Sequence, residues 1–411
     1  GYSAFGSDRK YGTFPSVGLG WALSQEQFVR NISWLDFLKL RLSWGQNGNR
    51  GISSYESLST MDLARYVFGD GGSTSVGLYP TSMANPLLGW ETSQSYNLGL
   101  DFTLFNNRLS GNIDLYSTKT TDLLLEVSIP SMTGYDKYLT NIGETQNRGI
   151  EVTLNSENIN TKDFSWSTSL NFSANANKIL HLSGEDLDGD GKEDDDIGKS
   201  RFIGYSMGSN YNYVFDGIWQ EGDDFSIDKS AKPGDIKFKD ISGNGSIGPE
   251  DRMVLHNNRP KFTMSMNNMF RYRDFTLSFL LDLRCGGYAA NNWINPGTEY
   301  YNRCNQLDLP YWTPENPLND RPSVGYSNPR GYGFYEKLTY LRLQDVSLAY
   351  SLPKSLIQKL TLNNVKVYVS GKNLATWTGW HGWDPEHASG GRASQNGPLI
   401  KSWVLGLQIS L

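Results

Sequence analysis

Twelve residues, DISGNGSIGPED at 240–251, set oxygen-bearing side chains at alternate positions of a loop. Asp240, Ser242, Asn244 and Ser246 stand first, third, fifth and seventh. Gly245 permits a sharp turn, Ile247 offers an apolar anchor, and Asp251 is twelfth. A hard cation such as Ca2+ takes roughly six to eight oxygen ligands, and this spacing gathers them around one point. Ser242 and Asn244 stand in for carboxylates, so modest affinity is expected. A second stretch, DLDGDGKEDDD at 186–196, supplies Asp186, Asp188, Asp190 and Asp194 at higher charge density, with Ile197 in the twelfth place. The competing reading of both is a solvated, Asx-rich turn without an ion. Ca2+ is the one cofactor suggested here; no organic cofactor is expected.

Catalytic groups are harder to find. GYSMG at 204–208 has the spacing of a nucleophile elbow around Ser206, but that device needs a helix after the serine. NYNYVF comes next instead, with strand-like alternation. IGKS at 197–200 has Glu193 where a phosphate loop requires glycine, and His181, His256, His381 and His387 show no metal-ligand spacing. HGWDPEH reads as part of a loop. No enzyme is expected. Aromatic residues crowd the long links, among them Trp293, Tyr300, Tyr301, Trp312 and Trp380. Flat rings stack on sugar faces or clamp peptides, which makes these five candidate substrate contacts. The plainer reading is that loop rings pack on one another or anchor a partner.

The chain has 411 residues, 38% apolar and 13% aromatic, with 43 glycines. No apolar run approaches the roughly twenty residues of a helical membrane span, whereas half-polar membrane strands stay open. A net charge of −6 without a basic stripe argues against nucleic acid. No signal peptide is visible, and Gly1–Ser7 reads as entering a strand midway, so a piece of a longer chain is expected. Cys285 and Cys304 either close a loop, worth about 3 kcal/mol by chain entropy, or stay as two thiols.

The elements that must position these residues announce themselves by period-two alternation. In SYNLGLDFTLFNNRLSGNIDLYS, 95–117, Tyr96, Leu98, Leu100, Phe102 and Leu104 alternate with polar residues. Asn106-Asn107 turns the chain, and Leu109, Ile113 and Leu115 resume the pattern. Similar arms are FPSVGLGW, LKLRLSWG, GIEVTL, FSWSTSLNF, the pair within KFTMSMNNMFRYRDFTLSFLLDL, LTYLRLQDVSLAYSLP, VKVYVSG and WVLGLQISL, eleven in all. A turn or two of helix is expected only at 24–33 and 351–360. Short links, 23–35, 105–107, 157–162, 272–274 and 353–360, alternate with long ones, 47–90, 123–145, 178–258, 286–336 and 376–400. Every long link therefore falls at one end of the sheet.

A soluble sandwich has no reason to segregate its loops; an outer-membrane barrel does. Its apolar phase would meet lipid, where a sheet must close on itself to satisfy its backbone. The polar phase, with Asp101, Asp114, Glu151, Asp282 and Lys366, would line a watery interior. The phase slips at Gln344-Asp345, read as a bulge or as the strand leaving the bilayer. The expected fold is all-β, an antiparallel transmembrane β-barrel with short periplasmic turns and long extracellular loops. Residues 1–411 would form about half of it, with 178–258, which carries both acidic loops, and 286–336 as extracellular loops.

Four segments in order, PGDIKFKDISGNGSIGPEDRMVL, RPKFTMSMNNMFRYRDFTLSFLLDL, YLRLQDVSLAYSLP and VKVYVSGKNLATWTGWHGWDPE, resemble SusC/RagA-type TonB-dependent transporters of Bacteroidetes, in the C-terminal part of the barrel. IGYSMGSNYNYVFDGIWQ fits the same family, and the likeness runs from GTFPSVGLGWALSQEQF to the end. The resemblance implies a 22-stranded barrel, a plug inside it, a SusD-like surface lipoprotein as lid, and a TonB complex as energy source. Plug and TonB-contacting segment have no counterpart here. Leu411 departs from the family, whose barrels commonly end in an aromatic. The expected function is import of oligosaccharides or oligopeptides across the bacterial outer membrane, with lid, TonB complex and lipid as partners. A passive porin-type channel and a calcium-binding surface β-adhesin are the alternatives. Leu100, Phe279 and Leu407 packed in a dry protein centre would overturn the membrane reading.

Overall fold

The computed structural model describes every residue except 68, 70, 130, 136, 292–293, 295–307, 354–356, 358–361, 388–398 and 411. One sheet dominates. Its eleven strands are Ser16–Trp21, Leu35–Asn49, Glu91–Leu104, Leu109–Thr121, Glu144–Asn160, Phe164–His181, Phe262–Tyr272, Phe275–Cys285, Tyr340–Ser351, Asn364–Thr378 and Ser402–Ser410. Each is antiparallel to its neighbour, and order in the sheet is order in the chain. All eleven arms are where alternation puts them. Gly1–Ser7 is not a strand: the segment is built of turns, with Gly6 N–H donating to Leu88 O and Phe5 packed against Ile52 and Leu88. The helical stretch expected at 24–33 is two short turns, Leu23–Gln25 and Gln27–Arg30. The one at 351–360 falls mostly outside the described residues. Among the described residues no helix is long and apolar enough to cross a membrane.

Links of 22–34, 105–108, 161–163, 273–274 and 352–363 close one end of the sheet, and 50–90, 122–143, 182–261, 286–339 and 379–401 the other. Register then sorts the faces, because residues directly opposite share one. Trp21, Leu40, Leu100, Ile113, Val152, Phe172, Met264, Leu283, Leu341 and Trp377 face one another in turn across the sheet. One residue along, the row reads Gly20, Arg41, Gly99, Asp114, Glu151, Ser173, Thr263, Arg284, Tyr340 and Thr378. The strand Tyr340–Ser351 keeps to this scheme through a bulge. Leu343 opposes Leu281 while Asp345 opposes Leu280, which leaves Gln344 extra and returns Val346 and Leu348 to the apolar face.

A soluble sheet buries its apolar face against a second layer. Among the described residues no layer covers it: Leu19 is 68% exposed and Leu407 60%, while Leu100 and Phe279 are half-buried. Among the described residues, three buried apolar clusters form, all off the eleven strands, in the N-terminal residues and the long links. The dry cores and the greasy sheet face are separate places, as hydrocarbon solvation of that face requires. Cys285 ends its strand; Cys304 lies outside the described residues.

Candidate functional site on the polar face and its loop platform

The polar face is braced across strands. Arg41 donates from Nε and Nη2 to both oxygens of Asp101, and from Nη2 to Asp114, each at 2.9 Å. Asp114 belongs to the next strand but one, and the guanidinium reaches it by passing over Gly99. A Cβ at Gly99 would lie 2.5 Å from the guanidinium carbon. Further along, Tyr340 donates to Asp282 at 3.0 Å. These pairs are partly hydrated, so they fix side-chain direction more than they add stability.

The link after Asn364–Thr378 folds back onto this wall. Arg342 donates to both oxygens of Asp384 at 2.8 and 2.7 Å, to Glu386, and to Thr376 at 3.1 Å. Glu336 accepts from the His381 backbone N–H at 3.1 Å, pairs with His381 Nδ1 at 2.5 Å, and accepts from Asn291 at 2.6 Å. Trp380 packs with Ala289 and Leu338 beneath. Residues 380–386 are thereby latched to the base of the link 286–339. This latch is not among the sequence expectations. The available signals were Arg342 in the polar phase of its strand and two acids, Asp384 and Glu386, in a short segment.

Two long links share one core. Tyr213, Ile218, Ile236 and Phe238 come from 182–261, and Trp312, Tyr326 and Phe334 from 286–339. Small two-stranded sheets pair Ser209–Tyr213 with Arg252–Asn257, Phe215–Ile218 with Ile236–Phe238, and Tyr288–Ala290 with Tyr335–Lys337. They carry Tyr213, Ile218, Ile236 and Phe238, while Trp312, Tyr326 and Phe334 come from irregular chain. Trp312 donates to Gln220 at 2.8 Å. Burial, then the neighbouring Tyr335, pushes the Tyr332 phenol up to about 12. Of the five candidate substrate aromatics, Trp312 and Trp380 are each only 7% exposed and serve as packing anchors. Trp293, Tyr300 and Tyr301 lie outside the described residues. Ser206 donates to Met207 O and is followed by the strand Ser209–Tyr213, so the elbow geometry does not form.

The two acidic loops share a bonding pattern. Asp240 accepts from Gly243 N–H at 2.7 Å and Gly245 N–H at 2.9 Å; Asp186 accepts from Gly189 at 2.8 Å and Gly191 at 2.9 Å. Asn244 takes Ser246 N–H, as Asp190 takes Lys192 N–H, both at 2.8 Å. Gly245 and Gly191 sit at φ 78° and 82°, where a side chain would be strained. Asp186, Asp188 and Asp190 bring carboxylate oxygens within 4.8 Å of one another on the surface, which suits a hard cation. Asp194 accepts from Leu187 N–H at 2.6 Å. Asp251 is fully buried and accepts from Ile241, Ser242 and Gly248 N–H at 2.9, 2.9 and 2.8 Å. Burial pushes its carboxyl up, but the N–H donors outweigh burial and hold it below the usual carboxylate range. It clasps the loop shut. Ser242 and Ser246 hydroxyls turn to Asp240 and Asn244.

Comparison with known proteins adds ancestry to this geometry. Residues 1–374 match the family model described as TonB dependent receptor-like, beta-barrel. The chain is 36% identical over 397 residues to TonB-dependent receptor P3 of Formosa agariphila, a match covering 94% of this chain and 39% of that one. It is 31% identical over 434 residues to TonB-dependent receptor SusC of Bacteroides thetaiotaomicron, covering 100% and 41%. Among solved structures it is similar to the RagAB peptide transporter, with a TM-score of 0.80 and 26% identity, covering 100% of this chain and 44% of that one. The chain thus spans about two fifths of the length of these relatives.

Proposed function

The chain belongs to the TonB-dependent receptor family, as β-barrel of a SusC-like outer-membrane transporter, and on that premise we propose that the whole protein actively imports an oligopeptide or oligosaccharide together with a SusD-like surface lipoprotein. One observation carries this reading: the links 182–261 and 286–339 fold around a common core, and Arg342 and Glu336 latch a third link beside them. A lid must dock on a surface that keeps its shape, and a buried aromatic core supplies that stiffness. A passive pore needs no such platform. The TonB complex would act on parts of the protein beyond this chain. The similarity to RagAB, a peptide transporter, favours peptide cargo, and the similarity to SusC keeps the glycan reading in play.

Ca2+ at Asp186, Asp188 and Asp190 belongs to the same proposal, as a tie that holds the tip of the 182–261 link. The loop at 240–251, with fewer carboxylates, is the weaker site.

The test uses the full-length protein, purified from outer membranes in mild detergent. Mass spectrometry of what co-elutes should find one lipoprotein in stoichiometric amount and a bound oligomer, and the purified protein should be closed in planar bilayers. Steady large conductance without a lipoprotein would make it a passive pore instead.

A further inference from the structure

Toward the long-link end, the outward rows change character in steps. Leu19, Leu42, Leu98, Leu115, Ile150 and Ala174 face one another in one row. The next holds Val17, Trp44, Tyr96, Ser117, Arg148 and Ala176, and the next Gln46, Gln94, Lys119, Gln146 and Lys178. Apolar gives way to aromatic and then to amide and ammonium. Trp and Tyr gather at the boundary between hydrocarbon and headgroups, so Arg148 stands at that height on the lipid side.

Beside Arg148 the wall is notched. The strand Phe164–His181 pairs with Phe262–Tyr272 only as far as Ser173 and Thr263. Its backbone is next bonded on that side at Ile179, whose N–H donates to Tyr205 O at 2.8 Å and whose carbonyl accepts from Gly204 at 2.9 Å. Between Ser173 and Ile179 only the Asn177 side chain is held on that side, accepting from Met207 N–H at 2.8 Å. The gap opens into a cavity of about 610 Å3. Leu115, Ile150 and Ala174 floor it, and Arg148, Arg259 and Lys261 ring it. Among the described residues, none that lines the cavity is acidic. All three cations are exposed; Arg259 makes one long bond, 3.5 Å, to Met207 O. Like charges converging over a neutral floor create a field that an anion relieves.

We propose that this notch is a binding site for a phosphorylated lipid of the outer leaflet. Its phosphate lies among Arg148, Arg259 and Lys261, and the first carbons of its acyl chains rest on Leu115 and Ile150. Guanidinium groups match phosphate oxygens two at a time, and basic pockets at a membrane boundary are suited to lipid headgroups. The apolar floor directly below the cations selects an amphiphile over a free anion. The notch opens on the outward face, away from the lumen that cargo would use.

Native mass spectrometry of the full-length protein in detergent tests this, with bisphosphorylated lipid A, the same lipid dephosphorylated, and inorganic phosphate as probes. Wild type should retain bisphosphorylated lipid A, and R148Q/R259Q/K261Q should bind it at least about tenfold more weakly. The charge-conserving R148K/R259K should bind within a few fold of wild type, and the dephosphorylated lipid should bind poorly to all. Equal retention by wild type and the triple variant would overturn the proposal. So would displacement of the lipid by inorganic phosphate at equal concentration, which would assign the site to a free anion. Should the triple variant lose heat-modifiable migration, R148Q alone carries the comparison.

Discussion

Arg342 and Asp384, 42 residues apart in sequence, meet as a two-bond pair at 2.7 and 2.8 Å, with side chains 2% and 5% exposed. The contact ties a long link to the inner wall of the sheet. Removing Asp384 leaves the buried Arg342 with only the half-exposed Glu386 and Thr376, a cost of up to about 3 kcal/mol, the low end for a buried pair that loses a partner outright. D384A in the full-length protein should therefore free the segment 379–387, read as new protease cleavage there, while heat-modifiable migration of the barrel is kept. Cleavage no faster than in wild type would show that the latch contributes nothing.

Arg41 reaches Asp114 only because Gly99 has no side chain. G99V should displace the guanidinium and lower stability by about 1–3 kcal/mol, the usual range for overpacking. D101N should cost less, about 1 kcal/mol, because that pair is a third exposed. Urea unfolding in micelles compares the two, and the reverse order would contradict the crossing geometry.

Asp186, Asp188 and Asp190 already converge, so little rearrangement is needed to take an ion. Calorimetry on the full-length protein should show Ca2+ uptake in the weak range of extracellular modules, Kd about 10⁻⁴–10⁻³ M. D188N/D190N should abolish it, whereas D240N should change it little. Heat of binding indistinguishable from buffer would remove Ca2+ from the account.

Asp251 makes a pH prediction whose sign comes from its lowered pKa. A carboxylate depressed in the folded state stabilises fully above its unfolded value, about 3.9, and that contribution fades as pH falls through the folded value. Amides of Ile241, Ser242 and Gly248 should stay protected from hydrogen exchange down to about pH 4 and lose protection below it, after correction for intrinsic rates. D251N should already lack that protection at neutral pH.

Much of the fold was legible in the residues alone. Alternation placed the eleven strands and told which side chains share a face, because side-chain direction is a local property of extended backbone. Link lengths placed every long connection at one end. The Asx-rich-turn reading of 186–191 and 240–245 could be made in advance, because those bonds span only a few residues.

What pairing decides over long distances could not be read in advance. Gln344 is a bulge rather than a strand exit because Leu280 and Leu281 oppose its neighbours from another strand. For Trp312 and Trp380 the residues left substrate contact and ring packing both open, and only the closing of two links over each decided for packing. Gly1–Ser7 read as strand until Leu88 engaged it as a turn. Arg148, Arg259 and Lys261 are scattered charges in the chain, and only the lapse of pairing beyond Ser173 and Thr263 brings them around one cavity. Local periodicity encodes direction; convergence of distant side chains depends on register, which exists only once the strands have paired.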